Sequence, residues 1–166
     1  MAIKREAAFH EAGHAIAAYR SRFHNIGGSI NLQDGGAGEV NVALSKRKLQ
    51  ANGKPVDRLA AQLDKEIIIE LAVVLSAGLV AERLAQEHVV GIKANPSSAL
   101  HDHDFMRQSL AIAGLSKRFD RHEDAAKQIL ASQWDLVCSL ATYLFEKQSV
   151  DSASVIAFIE QHSKIV

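Results

Sequence analysis

The run IIIELAVVLSAGLVA at residues 67–81 constrains the fold more than any other part of the chain. It is apolar nearly all round, which a helix tolerates only when neighbours cover every side. It is shorter than the roughly 20 residues of a membrane span and carries Glu70 inside. The reading is therefore a buried core helix, with no membrane span. Residues 4–23 are its natural companion. Alanine is frequent there, and Ile3, Ala7, His10, His14 and Ala17 or Ala18 recur at helical spacing. With 166 residues, 48% of them hydrophobic, the chain suffices for one domain, residues 1–166, with a real core.

The remaining elements follow from turn and cap signals. Gly27 and Gly28 end the first helical region. Segments 29–32 and 39–44 flank Asp34-Gly35-Gly36, and Val40, Val42 and Leu44 alternate with other residues, so a β-hairpin or small sheet is expected. Residues 45–55 are polar with Gly53 and Pro55, a surface loop. Asp57 caps a long helix to about Gln86. A second polar loop holds Gly91 and Asn95-Pro96-Ser97-Ser98. Helices are then expected from near Asp104 to Ile112, from after Arg121 to Lys147, and after a cap at Asp151. The fold class is mainly α (α+β), with a small β element after the first helix.

Composition narrows the function. With 19 basic and 19 acidic residues the net charge is zero, and aromatics are 5%, so no nucleic-acid surface is indicated. The single cysteine, Cys138, forbids an intrachain disulfide and fits a reducing, cytoplasmic setting. The first residues lack the long apolar core of a signal peptide.

The chemistry lies at His10-Glu11-Ala12-Gly13-His14, an H-E-x-x-H pattern on the first helix. Histidines four apart share one helix face, so both imidazoles can reach one metal ion, Zn2+ being the expected one. Glu11 is placed as the general base that takes a proton from the activated water and returns it to the leaving amine. A catalytic zinc needs a third protein ligand. Position 20 is Arg20, so no histidine follows at the extended spacing. The candidates are carboxylates: Glu66, Glu70 and Glu82 on the long helix, and Asp102 and Asp104 in His101-Asp102-His103-Asp104. Glu70 or Glu82 could instead hydrogen-bond a ligand histidine from behind.

The segment AAFHEAGHAIAA resembles the active-site helix of the peptidase domain of FtsH-type AAA-linked zinc proteases. SAGLVAERL, HDHDFMRQSLAIA and the stretch 134–159 resemble later segments of that family, in the same order. The resemblance implies a zinc metallopeptidase with His10 and His14 as ligands and Glu11 as catalytic residue. It also implies Asp104 as third ligand, because the family places an apolar residue after that aspartate, and Phe105 fits, with Ala111, Ile112 and Leu115 on the helix face that follows. No G-x-x-x-x-G-K-[ST] loop is present. The implied activity is cleavage of peptide or unfolded protein substrates, or work beside a separate ATPase partner. The competing expectation is a catalytically silent binding or regulatory module that keeps the fold; retention of Glu11 favours the enzyme.

Overall fold

A computed structural model describes residues 4–32, 41–116 and 118–163. In chain order the elements are α1 (Arg5–Arg20), β1 (His24–Gly27), β2 (Ser29–Asn31), β3 (Asn41–Leu44), α2 (Lys46–Ala51), α3 (Arg58–Leu63) and α4 (Lys65–His88). A short 3-10 turn (Pro96–Ala99) leads into α5 (Leu100–Ile112), and α6 (Asp120–Ala131), α7 (Trp134–Lys147), β4 (Ser149–Asp151) and α8 (Ser152–Ser163) complete the chain. This is the mainly α (α+β) class expected from the sequence.

Helix α1 runs through the core, with every residue from 7 to 18 buried. Helices α4 and α7 and strand β1 pack on it. Small side chains make this possible. A methyl group at Gly13 would sit 2.7 Å from Ala81 Cβ and nearer still to the Ala77 carbonyl, so only glycine allows α1 and α4 to approach this closely. The apolar run is buried as expected, from Ile67 and Ile68 through Leu71, Val74, Leu79 and Ala81, with Ile69 the exposed exception. Each large aliphatic side chain so buried contributes about 1.5–3 kcal/mol.

The structure divides two expected helices. Asp57 caps α3 through the Ala60 amide, but the chain is extended at Asp64, whose carboxylate accepts from the Glu66 and Ile67 amides and starts α4 afresh. A short polar side chain that bonds local backbone competes with helix continuation in this way. The expected helix through Lys147 breaks at Ser132 and Gln133, so that α6 packs on α4 and α7 on α1. Neither break carries glycine or proline. Asp151 caps α8 through the Ser154 amide, as expected.

The small β region also differs in its pairing. Among the described residues, 29–31 and 41–44 do not pair with each other. Strand β3 pairs antiparallel with β1, and β2 pairs antiparallel with β4 near the end of the chain, Ile30 opposite Val150. The Asp34-Gly35-Gly36 turn, Glu39, Val40 and Ile3 lie outside the described residues.

The stretch 45–55 is no plain loop. Ser45 caps α2, and Leu49 is buried with Phe23, Ala61 and Ile67. Lys48 Nζ donates to the carbonyls of Ala18, Tyr19, Ser21 and His24, closing the C-terminal end of α1.

His24 is buried beside this lysine. Ser21 Oγ donates its one proton to Glu70 Oε2 at 2.7 Å, so at 3.0 Å His24 Nδ1 is the donor to Ser21 Oγ. Burial pushes the His24 pKa down; Glu70 opposes and Lys48 adds to the shift, and it falls from 6.5 to about 4. The folded state therefore keeps His24 neutral while the unfolded chain takes up a proton below its ordinary value. Stability from this group is intact above pH 6.5 and is lost as pH falls towards about 4, up to about 3 kcal/mol. Urea unfolding of wild type and His24→Gln between these limits should show a shallower acid decline in the variant; parallel declines would contradict it.

Candidate metal centre

Three side chains from two parts of the chain converge on one point. His10 and His14, one helical turn apart on α1, bring their Nε2 atoms to 3.0 Å of each other. Asp102 Oδ2, on the first turn of α5, lies 3.2 Å from both. All three side chains are largely buried, with Asp102 the most open at 18%.

The orientation of each imidazole is set from behind. His14 Nδ1 lies 2.8 Å from the Val74 carbonyl of α4, a group that only accepts, so Nδ1 carries the proton. His10 Nδ1 lies 2.7 Å from Glu82 Oε1, and a carboxylate there again requires the proton on Nδ1. Glu82, 1% exposed, is itself held by the Asn95 amide at 2.6 Å and by the Ser98 hydroxyl. Both histidines in their neutral form thus turn Nε2 lone pairs inwards, to where Asp102 adds a carboxylate oxygen.

Three electron-pair donors facing one another call for a cation. Burial works against charge on His10, yet hydrogen bonds with Asp102 and Glu82 and the charges of Glu11 and Glu82 outweigh it, raising its pKa from 6.5 to about 10. Burial likewise opposes charge on Asp102, but its hydrogen bonds with His10 and His14 hold it well below the usual carboxylate range. A single proton on His10 satisfies one of these contacts; a metal ion satisfies all three. A tetrahedral zinc about 2.0–2.1 Å from each ligand would hold them about 3.3 Å apart, close to the spacing found. The group His10, His14 and Asp102 is able to hold a metal ion.

Space for the imidazoles comes from Gly78 on α4. A methyl group there would stand 2.6 Å from His10 Nε2 and closer still to His14 Nε2. Glu11 is 2% exposed, and its charge acts on His10.

Asp104, the expected third ligand, is not in this cluster. Its side chain is 65% exposed and accepts from Arg107 at 3.0 Å. The reason is where α5 begins. The helix starts at Leu100 rather than near position 104, so both aspartates lie on it, two residues and about 200° apart. Asp102 shares its face with buried Met106, Ser109 and Leu110, while Phe105 and Ile112 are exposed. The spacing of Ala99, Met106, Leu110 and Ala113 carries that signal in the sequence. Among the glutamates, Glu66 pairs with Lys54 and Glu70 with Arg22, away from the histidines. Glu82 is the partner behind His10. Ser98, Asn95 and the Val74 carbonyl escaped the sequence reading, because nothing local marks a residue that supports a ligand from another segment.

No family model matches the chain, and no curated protein matches it. No helix among the described residues is long and apolar enough to cross a membrane.

Zinc titration by calorimetry separates the carboxylates. Asp102→Ala should weaken zinc binding by more than the about 10–100-fold expected for Glu82→Gln, while Asp104→Ala should leave it unchanged. An Asp104→Ala loss equal to that of Asp102→Ala would return Asp104 to the ligand set.

Proposed function

We propose that the protein is a zinc-dependent metallopeptidase that cleaves peptide or unfolded protein substrates. The observation that carries this is the convergence of two Nε2 lone pairs and one carboxylate oxygen, with a glutamate next to the first histidine on the same helix. Three protein ligands leave a fourth position for water or substrate, which is the pattern of catalytic rather than closed structural sites. Bound zinc supplies Lewis acidity, which makes water acidic enough to ionise near neutral pH and polarises a carbonyl.

The protein's own groups do the rest. Glu82 and the Val74 carbonyl orient His10 and His14 with Nε2 towards the site, and loading displaces to solvent the proton that the raised pKa leaves on His10. Asp102 adds one negative charge to the site. The Glu11 carboxylate accepts the proton that water loses, then gives it to the leaving amine nitrogen as the peptide bond breaks. The order of segments that resemble the FtsH-type peptidase domain supports the same reading, with any unfolding supplied by a separate ATPase.

Glu11→Gln tests it. The amide keeps the shape of the carboxylate but cannot take the proton. Zinc content and thermal unfolding should match wild type, and cleavage of unfolded casein should fall by about 10²–10⁴-fold or more. Full activity in Glu11→Gln, or a wild type loaded with zinc yet inert towards peptides, would refute the peptidase.

A further inference from the structure

Away from the three candidate metal ligands, a cavity of about 440 Å³ lies between β3, α3, α4 and α5, within the range of small-ligand pockets. Its walls are apolar, with Val42, Ile67, Ile68 and Leu71 prominent, and Phe105 and Ile112 stand half-exposed at its edge. Two buried polar residues line it, His24 and Ser109. The other polar lining residues, Arg58, Gln62 and Gln108, are exposed or half-buried.

The chemistry of the two buried groups is defined. His24 Nδ1 spends its proton on Ser21 Oγ, so the imidazole is left with a bare acceptor at Nε2. Nε2 has no hydrogen-bond partner among the described residues, and His24 is one of the residues that line the cavity. The depressed pKa keeps that acceptor free of a proton at neutral pH. Ser109 Oγ likewise has no hydrogen-bond partner among the described residues, and it can donate or accept. An acceptor and a hydroxyl in an apolar cavity ask for a ligand whose tip donates one hydrogen bond and accepts another. An ammonium or indole N–H offers no acceptor, a carboxylate offers no donor and would be repelled by the Nε2 lone pair, and an amide offers both only by bringing two polar heteroatoms against apolar walls. A hydroxyl offers both, and a phenolic hydroxyl is the stronger donor on the larger apolar body.

We infer that this cavity binds a phenol, its hydroxyl donating to His24 Nε2 and its ring lying against Ile68 and Leu71. The site needs neither metal nor turnover, so it stands apart from the peptidase reading. A phenol reaches it as a tyrosine side chain of a peptide or as a free small molecule.

The test is a nuclear magnetic resonance titration of the full chain with para-cresol and with para-fluorotoluene, which has nearly the same shape but no O–H. Para-cresol should shift the signals of Val42, Leu71 and Ser109 and bind at least about fivefold tighter than para-fluorotoluene. His24→Phe should remove that preference. Gln108→Trp, an exposed change at the edge of the cavity, should weaken both ligands and decides the location even if His24→Phe does not fold. An acetyl-Gly-Tyr-Gly amide that binds more tightly than para-cresol assigns the phenol to a tyrosine in a peptide; weaker binding assigns it to a free molecule. Equal binding of the two toluene derivatives by wild type, a preference that survives in His24→Phe, or shifts elsewhere on the protein would overturn the assignment.

Discussion

Much of the structure depends on how closely α1 and α4 approach. Gly13 lets the α1 backbone meet Ala77 and Ala81, and Gly78 leaves room on α4 for two imidazoles. The same helix then supplies the groups that aim those rings, the Val74 carbonyl and the Glu82 carboxylate, four residues to either side of Gly78. Space and orientation thus come from a single turn-by-turn arrangement. A larger residue at either glycine would move the helices apart and misdirect the histidines with the same displacement. Close packing couples the two effects, because a dense interior passes on such strain.

Two buried histidines show how surroundings decide protonation. His10 lies against Asp102 and Glu82, and its tendency to carry positive charge rises despite burial. His24 lies near Lys48 with a hydroxyl as its hydrogen-bond partner, and there burial prevails and keeps it neutral. The residue type is the same and the depth is similar. The difference is whether an anion touches the ring.

The sequence was most readable where a pattern is local. The buried run at 67–81 and the paired histidines on an alanine-rich helix follow from spacing within one segment. The caps at Asp57 and Asp151 are equally local. Long-range choices were less readable. The pairing of β2 with β4 joins residues about 120 positions apart, and a three-residue strand leaves too little pattern to announce a partner. The choice between Asp102 and Asp104 turned on four residues of helix start, because each residue turns the side chain by about 100°. The breaks at Asp64 and at Ser132-Gln133 have no glycine or proline to mark them. They arise where the chain must redirect its next helix onto a different part of the core.

The distribution of the candidate ligand side chains along the chain has a consequence for synthesis. Asp102 follows His10 by 92 residues and Glu82 follows it by 72. A growing polypeptide therefore exposes its histidine pair long before the group that orients His10, and longer still before the carboxylate that completes the set. Throughout that interval the pair has the donors for a loose, incomplete complex only. A metal that joins all three closes a loop of most of the domain at once, and so acts as a late-formed cross-link between the first helix and the second half of the chain.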